Sequence, residues 1–552
     1  MSQKINRCLI ICVWLLIIGL LVYSRFVNLD WGLPYPMHPD ERNMANAIQG
    51  LKCVISNFEF RISNFRGCGN PHFFAYGQFP LYLGYVIVFL LKFFDGDLRM
   101  PISYQEAVIS LRIISAIASI INVFILVKII ELIMKKPRSL SAGWRIGMTI
   151  GVLIFSPYAI QFAHFGTTES LLMLFYSLIV YYSLKLLDSN GRSLDSLRLL
   201  GMTAIICGLA LATKVSSVIF LVVPVIMIVN ESFRAKSRNL FKRSIDSLRL
   251  LGMTFLGVVF FFILFSPHNL INYQDFVSSF RYESAVATGQ IKVFYTRQFE
   301  GTIAYLFQAI KVFPYALGWP VYILGLLGFI FLPWKNKRLN LIRLAVLIYF
   351  IPSGYIFTKW SRFMAPILPL MSVFAILFIQ NIVHRLDRKI WIPAFAGMTL
   401  LLIISGINYL RIYQKPDVRF QATDWINKNI PVNSYVLSET ANVVDVPLIN
   451  EKNLNVISFN FYEIDNDLNL NEELKNHLIR ADYIFVPSRR IFANHPKQKY
   501  PKLNKYYEDL FNGKLGFQKV AEFSAGLNDE MAEETWSVFD HPTIRIYKRN
   551  SL

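Results

Sequence analysis

The feature that most constrains this chain is a series of apolar runs, each about long enough to cross a bilayer, separated by short basic loops. A helix rising about 1.5 Å per residue needs roughly 20 apolar residues to traverse a hydrocarbon core of about 30 Å. The first run covers residues 8–27. It follows Lys4 and Arg7 and has no small-residue cleavage site after it, which reads as an uncleaved anchor with a cytoplasmic N-terminus. Further runs lie near 110–134, 146–163, 169–187, 199–213, 215–230, 250–267, 315–333, 339–357, 364–383 and 391–411. Only 17% of residues are charged, against about 25% in an average soluble domain, so a soluble multidomain enzyme does not fit and a disordered or fibrous chain is excluded. Five scattered cysteines supply neither a disulfide scaffold nor a paired-cysteine zinc site.

The net charge of +20 invites a nucleic-acid reading until it is located. Residues 415–552 hold 17 basic and 19 acidic side chains, a net of −2, whereas residues 1–414 hold 39 and 17, a net of +22. The excess therefore sits in loops between apolar runs, as in a membrane protein with positive cytoplasmic loops, and a nucleic-acid partner is not expected. The sixteen-residue stretch Phe79–Phe94 is apolar but short. Read as interfacial or re-entrant, it puts every basic cluster (135–145, 185–198, 234–249, 335–343 and 385–389) on the inside. The expected fold is a polytopic α-helical membrane protein of about eleven spans (residues 1–414), with interfacial helices in the first external loop. A small extracytoplasmic α/β domain (residues 415–552) follows, in which Thr423-Asp424-Trp425 reads as a capped helix start and ADYIFVP and TIRIYKR as strands. The other outward regions are the loop 28–109 and residues 269–314, with an amphipathic stretch at 300–313. The near-identical segments SLDSLRLLGMT (193–203) and SIDSLRLLGMT (244–254) read as a short duplicated element without chemistry.

Three constellations could carry chemistry. Met37-His38-Pro39-Asp40-Glu41-Arg42 follows the first span. Two adjacent carboxylates at a bilayer surface repel each other and lose hydration, which suits a general base or a cation site; equally, they suit the positive N-terminal end of a helix through Ala45 and Ile48. His164-Phe165-Gly166-Thr167-Thr168-Glu169-Ser170 sets Glu169 at the same face, as a paired or functional acid or as the cap of a helix starting near Thr168. Lys214, Lys359 and Arg362 recur on that face, as donors to a substrate phosphate or as residues snorkelling to lipid headgroups.

Taken in order, HPDE (38–41), FPLY (79–82), Arg112 with Ser115, HFGTTES (164–170), ATK (212–214) and SRFMAPILP (361–369) resemble glycosyltransferase family 39 over roughly residues 8–411. That family includes protein O-mannosyltransferases and the lipid A aminoarabinose transferase, in the type-C superfamily of polyprenyl-phosphate-sugar-dependent enzymes. The resemblance implies a multi-pass protein of a bacterial-type cell (inner) membrane and cell envelope, with an outward cavity, a polyprenyl-phosphate sugar donor and inversion at the anomeric carbon. It maps the reaction-centre acid onto Asp40 with Glu41 beside it, the second acid onto Glu169, and the Arg-Phe-x-x-Pro stretch onto Arg362, Phe363 and Pro366. His38, Arg42, His164 and Tyr82 are assigned to the substrate cavity.

This chain departs from the family pattern twice. Gln78-Phe79-Pro80-Leu81 stands where many relatives have Lys-Pro-Pro-Leu, so donor-phosphate binding falls to Lys214, Lys359 or Arg362, and Glu169 stands where Asp is common. No cofactor is certain. Some relatives hold a divalent metal near these acids and others do without, leaving Asp40 and Glu169 as metal candidates. In the expected chemistry Asp40 takes the acceptor proton and the cations stabilise the departing lipid phosphate. A transporter or flippase for lipid-linked or amphipathic solutes is the competing class, and a non-catalytic sensor or assembly subunit is a further alternative. The sugar and the acceptor (lipid, glycan or protein) are not legible, and Cys53 and Cys68 stand equally as a disulfide or as free thiols.

Overall fold

In lipid a backbone has no water to bond to, so apolar runs of this length satisfy their amides internally as helices. The computed structural model describes residues 2–51, 69–96, 101–134, 141–188, 194–234, 240–383, 388–440, 445–448 and 453–550, and each of the eleven runs falls on helix within them. In chain order the longer helices are α1 (Ser2–Phe26), α2 (Pro39–Gly50), α3 (Phe79–Asp95), α4 (Tyr104–Met134), α5 (Ser141–Ile154), α6 (Pro157–His164), α7 (Glu169–Asp188), α8 (Leu194–Thr213), α9 (Val222–Arg234), α10 (Leu240–Phe265), α11 (Tyr273–Thr288), α12 (Trp319–Phe331), α13 (Lys337–Tyr355), α14 (Leu368–Val383) and α15 (Arg388–Gln414). Among the described residues five helices are long and apolar enough to cross a membrane, or six if the pair 308–317 and 319–331, bent by 113°, forms one broken span. The run 146–163 is two helices rather than one. Pro157 lacks an N–H and starts α6, so the chain breaks at Phe155-Ser156.

Residues 300–313 form no continuous amphipathic helix. Tyr305 sits at φ 65°, and only the π-helical turn Gln308–Val312 follows before Phe313–Leu317. The duplicated segments open α8 and lie within α10, which pack side by side in the same direction. Gly257 meets Ala204, and Gly208 meets Val258 and Phe261. Cys53 and Cys68 lie outside the described residues.

The tail builds β1 (Tyr435–Glu439), β2 (Asn455–Phe459), β3 (Tyr483–Val486), β4 (Phe517–Phe523) and β5 (Ile544–Arg549). They form one sheet of order β2-β1-β3-β5-β4, parallel across its first three strands and antiparallel beyond. Side chains alternate faces along a strand. Val436, Tyr483 and Phe485 therefore pack on α16 (Val418–Asn429), while Leu437, Ile484 and Val486 meet α17 (Leu468–Arg480) and α18 (Pro501–Phe511). The cap of α16 is Asp417, whose carboxylate accepts the Arg419 N–H at 2.8 Å, and not the expected Thr423. Thr423 is a full turn inside the helix, where its hydroxyl bonds the Arg419 and Pro447 carbonyls.

A strap between β4 and β5 leaves this domain. Ala532, Trp536, Val538 and Phe539 join the apolar core of the helical part, across the expected boundary at residue 415. Gln161 donates to the Trp536 carbonyl at 2.7 Å, and the Tyr409 and Tyr413 hydroxyls donate to Asp540 at 2.9 and 2.7 Å. The His541 ring lies between Asp540 (2.6 Å) and Asp529 (2.7 Å). Burial alone would lower the His541 pKa, but the two carboxylates outweigh it and raise it to about 10. From an unfolded value of about 6.5, such a group contributes fully below about pH 6.5 and loses its contribution as pH rises through its folded pKa. The melting temperature in detergent should fall between pH 6.5 and 10, and His541→Asn should flatten that fall. Equal slopes in the two proteins would remove His541 as the cause.

Candidate functional site

Pro39 at the first position of α2 and His38 at its N-cap place Asp40 and Glu41 in the first turn, where the helix dipole favours acids. Successive helical residues point about 100° apart, so the two neighbours part company. Glu41 is 1% exposed and accepts Arg112 Nε and Nη2, each at 2.7 Å, and the Gly166 N–H at 2.7 Å. Arg112 also donates to the Leu29 and Trp31 carbonyls. Gly166 is required there, because a Cβ would lie 2.7 Å from Leu111 and 2.9 Å from the Glu41 carboxylate. The HFG sequence is thus part of a lock on α2.

Asp40 turns the other way and pairs with the guanidinium of Arg362, which comes from the 3₁₀ turn Ser361–Ile367 that leads into α14. Burial pushes its pKa up, but Arg362, His38, Lys214 and a hydrogen bond from the Tyr76 hydroxyl outweigh it. Asp40 is held below the usual carboxylate range and is ionised at neutral pH. Glu169 begins α7 and lies 3.9 Å from Lys214 Nζ. Lys214 ends the α8 turn between the rings of Tyr76 (4.9 Å) and Phe363 (5.4 Å). Arg362 stacks 4.6 Å over Trp360, and its buried Nε has no acceptor among the described residues. Four elements distant in sequence therefore bring two carboxylates and two cations into one group, to which Glu283 of α11 adds its charge. Tyr76 and Glu283 gave no signal in the sequence, since an aromatic and an acid in a polar stretch are ordinary in this composition.

Tyr76 is fixed by its neighbour. The Gly77 N–H donates to the Thr213 carbonyl at 2.9 Å, and a Cβ on Gly77 would sit 1.9 Å from the Ala212 carbonyl oxygen. Gly77→Ala must push the Tyr76 loop off the α8 terminus, at a cost of about 1–3 kcal/mol. We expect a lower melting temperature together with weaker anion binding at Lys214; an unshifted melting curve would show that the loop gives way freely.

Other expected site residues lie elsewhere. His164 is fully buried, with its ring nitrogens against the Ile160 (2.8 Å) and Val27 (2.9 Å) carbonyls and its face stacked on Tyr413 at 3.7 Å, so it packs and does not line a cavity. Lys359 points to the Phe357 carbonyl (2.8 Å) amid the Phe299 and Phe357 rings, away from Asp40. Tyr82 donates to the Gly69 carbonyl at 2.9 Å, and Arg42 is half-buried with no ion pair among the described residues. His38 is buried between the Phe165 and Phe539 rings. Gln78, standing where relatives have lysine, is an anchor: its amide donates to Asn269 and accepts the His268 N–H. Among the described residues no three His, Cys, Asp or Glu side chains gather to hold a metal, and the candidates Asp40 and Glu169 each face a cation.

Fold and site together define a helical membrane protein in which a paired acid and base group lies where the helical part meets a small sheet domain. No family model matches the sequence, and no curated protein is recognisably similar to it. Among solved structures the chain is similar to the archaeal oligosaccharyltransferase AglB from Archaeoglobus fulgidus, solved with an inhibitory peptide and a dolichol-phosphate (11% identity, 89% of this chain and 72% of that one, TM-score 0.48). It is also similar to ArnT from Cupriavidus metallidurans bound to undecaprenyl phosphate (11% identity, 96% and 97%, TM-score 0.47). A third likeness is to the S. cerevisiae protein O-mannosyltransferase Pmt1-Pmt2 complex bound to the sugar donor (18% identity, 48% and 34%, TM-score 0.34).

Proposed function

We propose that this protein is an integral membrane glycosyltransferase. It takes a sugar from a polyprenyl-phosphate donor at the extracytoplasmic face and passes it, with inversion, to a lipid, glycan or protein acceptor. The observation that carries this reading is the meeting of Asp40, Glu169, Lys214 and Arg362 in one group, in a chain whose motifs occur in the family 39 order. Such a group matches the chemistry. An acceptor hydroxyl or amine attacks the anomeric carbon and gives its proton to Asp40. The bond from that carbon to the phosphate oxygen breaks, and the lipid phosphate leaves with the electron pair. The phosphate gains a negative charge in that step, which Arg362 and Lys214 stabilise at close range.

The Asp40–Arg362 pair suggests an order of events. A carboxylate held by a guanidinium is a weak base. Arg362 Nε lacks an acceptor among the described residues, and a donor phosphate would supply one. Phosphate binding then draws the guanidinium from Asp40 and makes it more basic when the acceptor needs it. Glu169 holds Lys214 in place.

The test is mass spectrometry of lipids that co-purify with the protein, followed by transfer from the identified donor in detergent. A bound glycosyl polyprenyl phosphate that is consumed without any membrane partition supports the enzyme. Lipid movement across vesicles without bond cleavage would establish the transporter reading instead.

A further inference from the structure

Ser361, the first residue of the 3₁₀ turn that carries Arg362 to Asp40, is itself held in place. The group holding it is Glu533, 1% exposed and carried by the strap from the sheet domain. One carboxylate oxygen of Glu533 accepts the Ser361 N–H at 3.1 Å, the Ser361 hydroxyl at 2.8 Å and the Thr535 hydroxyl at 2.6 Å. The other accepts Gln298 Nε2 at 2.9 Å and the Thr535 N–H at 3.0 Å. Its own N–H donates to the Lys311 carbonyl at 2.8 Å, and the Glu534 N–H returns to the Gln298 amide oxygen at 3.2 Å. A buried carboxylate with five donors is a rigid joint, because losing the carboxylate leaves those donors unsatisfied. The joint ties three parts of the chain that meet nowhere in sequence: the strap, the external segment around Gln298 and the Arg362 turn. The same strap presses Phe539 on His38, the cap of the helix that carries Asp40, with ring centroids 4.4 Å apart.

We infer that Glu533 is a positioning residue of the transfer site: through Ser361 it sets the guanidinium of Arg362, which makes the C-terminal domain part of the site. This deepens the proposed function and rests on that reading of Arg362. Glu533 touches no reacting atom; its effect is on geometry. Replacing it with Gln turns one acceptor oxygen into a donor facing donors, while Asp keeps the charge but draws it back by one methylene.

The experiment measures the Kd of undecaprenyl phosphate and the melting temperature of the full-length protein in detergent for the wild type, Arg362→Ala, Glu533→Gln, Glu533→Asp and Ser361→Ala. We expect Arg362→Ala to weaken binding by at least about tenfold, since the phosphate loses a charged hydrogen-bond donor. Glu533→Gln should weaken it about three- to tenfold and Glu533→Asp less. Ser361→Ala, which removes one hydroxyl from a site that otherwise stays whole, should weaken it about two- to threefold with little change in melting temperature. A merely structural role for Glu533 would lower the melting temperature and leave the Kd of the folded fraction alone. If Arg362→Ala weakens binding while Glu533→Gln and Ser361→Ala do not, the positioning role is wrong and the site stands. If Arg362→Ala binds as the wild type does, the site reading itself falls, and this inference with it.

Discussion

Asp40→Asn is expected to reduce sugar transfer by about 10²- to 10⁴-fold, the usual contribution of a positioned general base, with the protein still folded and inserted. The amide keeps the size of the side chain and a hydrogen-bonding oxygen for Tyr76 and Arg362, but it cannot take a proton. Stability should change little. The Asp40–Arg362 pair is partly open, with side chains 17% and 21% exposed, and ion pairs of that kind contribute modestly. Donor binding should persist or tighten, because a neutral asparagine competes less strongly than a carboxylate with the phosphate for the guanidinium. Rates with a matched donor, beside a melting curve, decide the matter. Turnover like that of the wild type would take Asp40 out of the chemistry. A larger loss in Glu169→Gln than in Asp40→Asn would pass the base role to Glu169.

The second large effect is on stability. Glu41 and Arg112 form a bidentate pair, each side chain 1% exposed, and removing one partner strands a charge where water does not reach. Breaking such a pair costs about 3–5 kcal/mol. Arg112→Ala should therefore leave Glu41 with the Gly166 N–H and little else, and much of the protein should fail to survive extraction. Glu41→Gln combined with Arg112→Met should recover part of the loss, because no net charge is then buried. The double variant tells the two roles of Glu41 apart. Recovered stability with recovered transfer makes Glu41 a holding residue, whereas recovered stability without transfer returns it to the reacting groups.

Much of the site could be read from the chain because charges are rare in this setting. Glu169, Lys214 and Arg362 stand at the ends of apolar runs, where an ionised group is expensive unless it is used or paired, and Asp40 stands beside a second acid in the loop after the first run. The direction of each side chain could not be read. Asp40 and Glu41 are adjacent and chemically alike, yet one faces Arg362 and the other Arg112. Lys359 and Arg362 are three residues apart, one before and one within the 3₁₀ turn, and only the second reaches the acids. His164 carries the chemistry of a catalytic residue but is stacked on Tyr413, a ring some 250 positions later in the chain. Glu533 gave no signal, since it is one of a pair of glutamates in a tail of mixed charge.

The sequence alone determined the helical membrane class, the positions of the apolar runs, two strands of the tail and the order of the motifs. Hydrophobic length, charge placement and alternation are properties of short windows, and nothing distant alters them. Tertiary structure decided which acid meets which cation, and that the strap before β5 returns to the helical part to hold the Arg362 turn. Those outcomes depend on contacts between segments hundreds of residues apart, where buried charges and amides accept only partners that satisfy them.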